Sequence, residues 1–309
     1  MIFVLNNFLK NYFHVLFIIS YVFLSNFIFD EDLESYFLNI QEYNQGITSQ
    51  KYFWYKYLFF PLRFFFENPI TLIKFYQTLL LTSFFLFIDK FLIKRNYIFR
   101  ILLILIFLFV PFITDFYGQY LRESTALIFF LFGTRFKQLK YNIPLYILAF
   151  LCHYISFFWI ASYYLTLFFI KNIDSNRFII FIYLLLFIIS LAFCFFQYFD
   201  IFNLKILLPE NISSYLVGDR TNLNGVIYLI FYIIYLMLVF FNFRTPFYSI
   251  SILLLFVNLI FYQNIVDYGR AFQAPAIFHF ISSLLLFLKN RFLFDLIICV
   301  LLSLVFYLI

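Results

Sequence analysis

Residues 178–198, FIIFIYLLLFIISLAFCFFQY, decide the fold class because they form an apolar run without a single charged residue. An α-helix needs about 20 such residues to cross the hydrocarbon core of a bilayer. The whole 309-residue chain has the same character, with 65% hydrophobic and 12% charged residues and a mean hydropathy of +0.97. Soluble domains carry roughly 25% charged residues. The composition therefore indicates a membrane protein and excludes secreted domains, nucleic-acid binders and cytosolic enzymes.

Other apolar runs of spanning length repeat along the chain, at 12–29, 70–88, 98–114, 119–134, 225–243, 246–263, 271–288 and 292–309. The stretch 143–170 is too long for one ordinary crossing and too short for two, and polar residues around His153 predict a hairpin of two short helices. We therefore predict an all-α polytopic membrane protein with about 10–11 transmembrane helices in a single transmembrane domain, residues 1–309. A GT-C-like architecture is compatible with this pattern.

The distribution of charge predicts the topology. With a cytoplasmic N-terminus and residues 12–29 as a retained signal anchor, 13 of the 21 Lys and Arg residues but 3 of the 15 acidic residues face the cytoplasm. This asymmetry fits the excess of positive charge on the cytoplasmic side of multi-pass membrane proteins. Two sizeable loops, 30–69 and 199–224, then lie outside. Trp54, with its aromatic and basic neighbours, favours an interfacial helix at headgroup level in the first loop.

Three arginines on the predicted outer side, Arg122, Arg220 and Arg270, are not explained by the topology. Each could reach the interface by snorkelling or pair with an acid on another helix. Because three occur together, we favour an anionic site, since the planar guanidinium donates in pairs to phosphate and stays charged. An anion at this face is most simply a lipid-linked phosphate or diphosphate.

Several polar residues are spaced so that they could support these arginines. Asp115 lies seven residues before Arg122, Asp267 lies three before Arg270, Gln273 lies three after Arg270, and Tyr36 lies four after Asp32. Spacings of three, four and seven place side chains on one helix face.

A base is also needed if the site performs transfer chemistry. His153 is the first candidate because imidazole titrates near working pH, although a lone His in an apolar run is as often a packing residue. Glu123 and Asp32 are the other candidates. The acidic cluster Asp30 to Asp32 could instead hold a divalent metal, or merely keep its loop outside. We rate His279 as structural, and Cys152, Cys194 and Cys299 match no metal pattern.

The order of these features resembles the EpsG-like, Wzy-type polysaccharide polymerases of bacterial surface-glycan pathways. The similarity rests on Asp32 and Tyr36 after the first span, the run Tyr120 to Glu123 opening a span, the His-x-x-Ser pattern His153 to Ser156, and Arg270. The family commonly has Gln where this chain has Glu123. The resemblance implies that Arg122 and Arg270 handle undecaprenyl diphosphate at the outer face.

The resemblance implies a multi-pass polymerase of the bacterial cytoplasmic (inner) membrane that transfers a growing glycan from undecaprenyl diphosphate to a lipid-linked repeat unit at the outer face. Arg122 and Arg270, with Arg220, would stabilise the diphosphate, and no cofactor or metal is expected. The expected partners are the undecaprenyl-diphosphate-linked oligosaccharide, the lipid bilayer and a chain-length regulator protein, with no nucleic acid. Two alternatives stay open. One is a GT-C-like glycosyltransferase using a polyprenyl-phosphate sugar with Asp30 and Asp32 on a metal, and the other is a flippase or transporter of lipid-linked oligosaccharide.

Overall fold

A computed structural model describes residues 18, 36–41, 53–92, 113, 116–117, 120–136, 138–173, 176–198, 223–239, 245–260, 268–290, 296–298 and 301. Within these residues the regular structure is entirely helical, in agreement with the predicted all-α class. A π-helical turn, Trp54–Phe59, and a 3-10 helix, Phe60–Phe65, precede the longer elements. The α-helices are α1 Pro69–Leu92, α2 Leu121–Gly133, α3 Leu139–Cys152, α4 Ser156–Asn172, α5 Asn176–Tyr198, α6 Leu223–Val239, α7 Pro246–Ile260 and α8 Tyr268–Asn290.

The observed helices follow the apolar runs of the sequence. The predicted segments 12–29, 98–114 and 292–309 lie outside the described residues apart from isolated positions. Helix α1 has 24 residues and α5 has 23. At 1.5 Å per residue each is about 35 Å long, which exceeds the roughly 30 Å hydrocarbon core. Among the described residues, Pro69–Ile88 and Arg177–Phe196 are long and apolar enough to cross a membrane.

The predicted break in the stretch 143–170 is observed at His153. Helix α3 ends at Cys152, His153 has extended backbone angles of φ −153° and ψ 124°, and α4 begins at Ser156. The Ser156 N–H donates to the His153 carbonyl at 3.1 Å, which closes a turn between the two helices. The functional histidine candidate is therefore held at a helix boundary rather than within a continuous helix.

The chain divides into two compact units, Met1–Phe157 and Phe158–Ile309, which are described separately. In the first unit, α2 packs against both α1 and α3. Tyr76 of α1 is hydrogen-bonded to Thr125 near the start of α2, and Phe87 makes an edge-to-face contact at 6.3 Å with Phe132 near its end, so α1 and α2 run parallel. Helix α3 runs antiparallel to α2, because the end of α3 reaches the start of α2 through His153.

The contact between α2 and α3 is closest at Gly133. A Cβ atom there would lie 2.5 Å from Cε1 of Tyr146, which is nearer than real Cβ contacts allow. Tyr146 is itself buried, so its ring has little room to move. The absent side chain at Gly133 thus allows α3 to approach α2 closely.

The second unit is built around α7. Helices α5, α6 and α7 share an apolar core that includes Tyr183, Ile233 and Phe256, and α7 also packs along α8. His279 of α8 is fully buried, and its Nδ1 lies 2.8 Å from the hydroxyl of Tyr232 on α6. This hydrogen bond satisfies His279 inside the core, as expected for a structural histidine.

Helix α5 presents large apolar side chains away from the protein. Phe181 is 58% exposed and Ile188 is 60% exposed, and Phe178, Leu184 and Phe195 are also exposed. A soluble monomer rarely exposes a contiguous apolar face of this extent. The outer face of α5 therefore has the composition expected of a surface that contacts lipid.

Candidate functional site

The candidate site starts at the first turn of α2, which carries Arg122 and Glu123. The helix opens after Tyr120, whose carbonyl accepts the Ser124 N–H at 2.9 Å, and the Ser124 hydroxyl donates to the Phe116 carbonyl. An acidic residue in the first turn is stabilised by the positive end of the helix dipole. The two hydrogen bonds of Ser124 define where α2 begins, and Glu123 therefore lies in its first turn.

Glu123 meets His153 from the end of α3. The Nε2 atom of His153 lies 3.3 Å from Oε1 of Glu123, and the side chains are 7% and 22% exposed respectively. The two residues are 30 positions apart in sequence, and the antiparallel packing of α2 and α3 brings them together. Two of the three predicted base candidates are thus in direct contact.

The imidazole of His153 is fixed on its other side as well. Its Nδ1 accepts a hydrogen bond from the Ile155 backbone N–H at 3.3 Å, which satisfies a donor just ahead of α4. The ring also stacks on Tyr154, with centroids 4.9 Å apart. The orientation of His153 is therefore set by contacts on three sides.

Arg122 lies beside Glu123 in the first turn of α2. The charge of Arg122 acts on the thiol of Cys152, and Tyr76 of α1 is also close enough to interact with that thiol. Consecutive residues of a helix point about 100° apart, so the side chains of Arg122 and Glu123 leave α2 in different directions. The arrangement places a cation, a carboxylate and an imidazole at one end of the first unit.

A buried triangle of hydrogen bonds lies next to these residues. Trp54 Nε1 donates to the Tyr76 hydroxyl and to Thr125 Oγ1, each at 2.9 Å, and the two hydroxyls are themselves 2.9 Å apart. The Thr125 hydroxyl donates its hydrogen to the Leu121 carbonyl at 2.6 Å. Thr125 must therefore accept from Tyr76. The triangle ties the π-helical turn, α1 and α2 together two residues after Glu123.

Trp54, which the sequence assigns to an interfacial helix at headgroup level, is buried among protein side chains, and its depth in the membrane stays a prediction. Trp54 is fully buried, stacks on Phe59 at 4.7 Å and meets Tyr36 at 5.6 Å. Its N–H is bonded inside the protein, so the side chain has no need of an aqueous interface. Tyr36, predicted as a substrate-binding residue, packs in this aromatic cluster, and its contact with a substrate stays a prediction.

The remaining predicted residues are distributed as follows. Asp32, Asp115, Arg220 and Asp267 lie outside the described residues. Arg270 lies in the first turn of α8, in the second unit, with its side chain outside the described part. Gln273 follows on the same helix, and its Oε1 is buried without a hydrogen-bond partner among the described residues. The proposed cooperation of Arg122 with Arg270 and Arg220 therefore stays a prediction.

Four site residues were missed by sequence reasoning, namely Trp54, Tyr76, Thr125 and Cys152. One signal could have indicated Trp54, because the chain has 55 Phe but only 2 Trp residues. Phe fills apolar volume equally well, so a retained Trp suggests a need for its N–H donor. Tyr76, Thr125 and Cys152 carry no comparable signal in the sequence. Among the described residues, no group of three or more His, Cys, Asp and Glu could hold a metal ion.

Comparison with known proteins gives no match: no protein-family model, curated protein or solved structure matches this chain.

Proposed function

We propose that this protein is a membrane polymerase that transfers a growing glycan from undecaprenyl diphosphate to the sugar hydroxyl of a lipid-linked repeat unit. The observation that carries the proposal is the pairing of Glu123 with His153 beside Arg122. This transfer needs a cation for the departing diphosphate and a base for the acceptor hydroxyl. The first unit supplies both types of group within two consecutive residues of α2.

The position of these residues supports a site at the outer face of the membrane. We define the polar end of the first unit by Trp54, Tyr76, Arg122, Glu123, Thr125 and His153. The opposite end holds Arg135, which donates to the carbonyls of Leu86 and Phe87 of α1. Basic residues collect on the cytoplasmic side of membrane proteins. We therefore assign the Arg135 end to the cytoplasm and the polar end to the outer face of a multi-pass inner-membrane protein.

The role of Arg122 follows from the charge of the leaving group. As the glycosidic bond to the diphosphate breaks, negative charge gathers on the bridging oxygen. A guanidinium held in a low-polarity site stabilises that charge more strongly than water does. The loss of one such fixed donor typically lowers turnover about 10²–10³-fold. Arg270 is a second candidate for the same task.

The test is Arg122→Lys, assayed with lipid-linked repeat units and purified protein in liposomes. Lysine keeps the charge but loses the planar pair of donors, so we expect polymer formation to fall at least tenfold while the protein still inserts. Arg177→Lys is the matched control, because Arg177 is exposed at the start of α5. An unchanged polymer length distribution with Arg122→Lys would contradict the role of Arg122. A wild-type protein that forms no polymer would contradict the proposed function.

A further inference from the structure

The hydrogen bonds of His153 define which of its nitrogens carries the proton. A neutral imidazole has one N–H donor and one acceptor nitrogen. The Ile155 N–H points at Nδ1 at 3.3 Å, so Nδ1 presents its lone pair and carries no hydrogen. The hydrogen is then on Nε2, which lies 3.3 Å from Oε1 of Glu123. His153 therefore donates to the Glu123 carboxylate.

This tautomer leaves His153 poorly suited to accept a proton. Its one lone pair is directed at Ile155, and its Nε2–H is directed at Glu123. A carboxylate has about four lone-pair positions on two oxygens, so Glu123 can accept from His153 and still take a proton. Glu123 also lies in the same helical turn as Arg122, whereas His153 follows the end of α3.

We infer that Glu123 is the general base of the site and that His153 is a positioning residue that holds the Glu123 carboxylate through Nε2–H. This inference rests on the proposed polymerase function for its chemistry and on the contacts of His153 for its assignment. It differs from the sequence-based expectation, which placed His153 first among the bases.

The proposed transfer forms one bond and breaks one. The acceptor hydroxyl oxygen forms a bond to the anomeric carbon of the donor glycan, and the bond from that carbon to the diphosphate oxygen breaks with both electrons leaving on the diphosphate. The hydroxyl proton passes to the Glu123 carboxylate, and Arg122 faces the negative charge gained by the diphosphate. Glu123 later loses the proton to water or to the released diphosphate.

The activity test compares variants at the two positions. Glu123→Gln keeps the shape but cannot take up a proton, and we expect turnover to fall about 10²–10⁴-fold. Glu123→Asp keeps the carboxylate and should retain more activity than Glu123→Gln. The control Glu67→Gln, at an exposed position before α1, should leave turnover unchanged.

The variant His153→Gln distinguishes a positioning role of His153 from a role as the general base. The Gln side-chain amide can still donate to Glu123, so we expect turnover within about tenfold of wild type, whereas His153→Leu, which fills similar space without a donor, should lose more. Turnover in His153→Gln as low as in Glu123→Gln, at equal amounts of folded protein, would overturn the inference. Wild-type turnover in Glu123→Gln would overturn it as well.

The tautomer can be measured without any activity. The chain has three histidines, so ¹⁵N-histidine labelling with comparison to the His153→Gln variant assigns the His153 signals. We expect an Nε2-protonated imidazole at neutral pH. An Nδ1-protonated ring would refute the inference even in an active polymerase. The expected tautomer in a protein that forms no polymer would instead refute the proposed function alone.

Discussion

Thr125→Val should destabilise the first unit more than Tyr76→Phe, although each change removes one oxygen from the buried triangle. Thr125 accepts from both Tyr76 and Trp54, while its own hydrogen goes to the Leu121 carbonyl. Valine removes the acceptor and strands the buried Tyr76 hydroxyl hydrogen. A stranded buried donor costs about 1–3 kcal/mol. Tyr76→Phe strands no donor, because Trp54 still donates to Thr125, and it should cost about 0.5–1.5 kcal/mol.

The assay is denaturant unfolding of the detergent-solubilised protein, followed by tryptophan fluorescence. The chain has two tryptophans, Trp54 and Trp159, so a Trp159→Phe background leaves the indole of the triangle as the single reporter. Thr125→Ser is the matched control. It keeps the acceptor and loses one methyl group, worth about 0.8 kcal/mol when buried. The reasoning is refuted if Thr125→Ser is as destabilising as Thr125→Val, or if Tyr76→Phe is the more destabilising of the two oxygen deletions.

Two further substitutions, one in each unit, test the packing of the helices. Gly133→Ala places a methyl group against the buried ring of Tyr146. This substitution should lower the free energy of unfolding by about 1–3 kcal/mol, and adding Tyr146→Leu should recover part of the loss. Equal stability of Gly133→Ala and wild type would contradict this packing. His279→Leu removes the bond to Tyr232. This substitution should lower the free energy of unfolding by about 1–3 kcal/mol. In thermal unfolding, the double variant with Tyr232→Phe should lose less stability than the sum of the two single variants. Strictly additive losses would contradict the pairing.

The helices could be predicted from the sequence because hydropathy is a local property. The run 178–198 lies within Asn176–Tyr198, and the run 70–88 lies within Pro69–Leu92. The break at His153 was also predictable, since polar residues interrupt an apolar stretch there. Boundaries were less accurate: α3 begins at Leu139, before the stretch 143–170, because Pro144 is tolerated inside its first turns.

The contacts within the site could not be predicted, because they depend on how helices pack. Glu123 needed a partner on a different helix from the one that carries it, and no spacing within the chain indicates that the partner is His153. The burial of Trp54 could not be predicted for a related reason. A cluster of Trp, Tyr and Lys is typical of a membrane interface, but the same aromatic residues also form buried hydrogen-bonded cores, and only the packing of α1 and α2 distinguishes the two.

The apolar character of this chain explains why the polar side chains named at the polar end are hydrogen-bonded or paired. A buried polar group in an apolar surrounding is expensive unless it is hydrogen-bonded or paired. At the polar end, Glu123 is paired with His153, His153 with Ile155, and Thr125 with Tyr76 and Trp54. Each group is fixed by the bond that makes its burial tolerable. Groups fixed in this way need little reorganisation when charge develops beside them, which is the property that a transfer site requires. In the proposed mechanism, the same bonds that stabilise these polar residues would also preorganise Glu123 as the base.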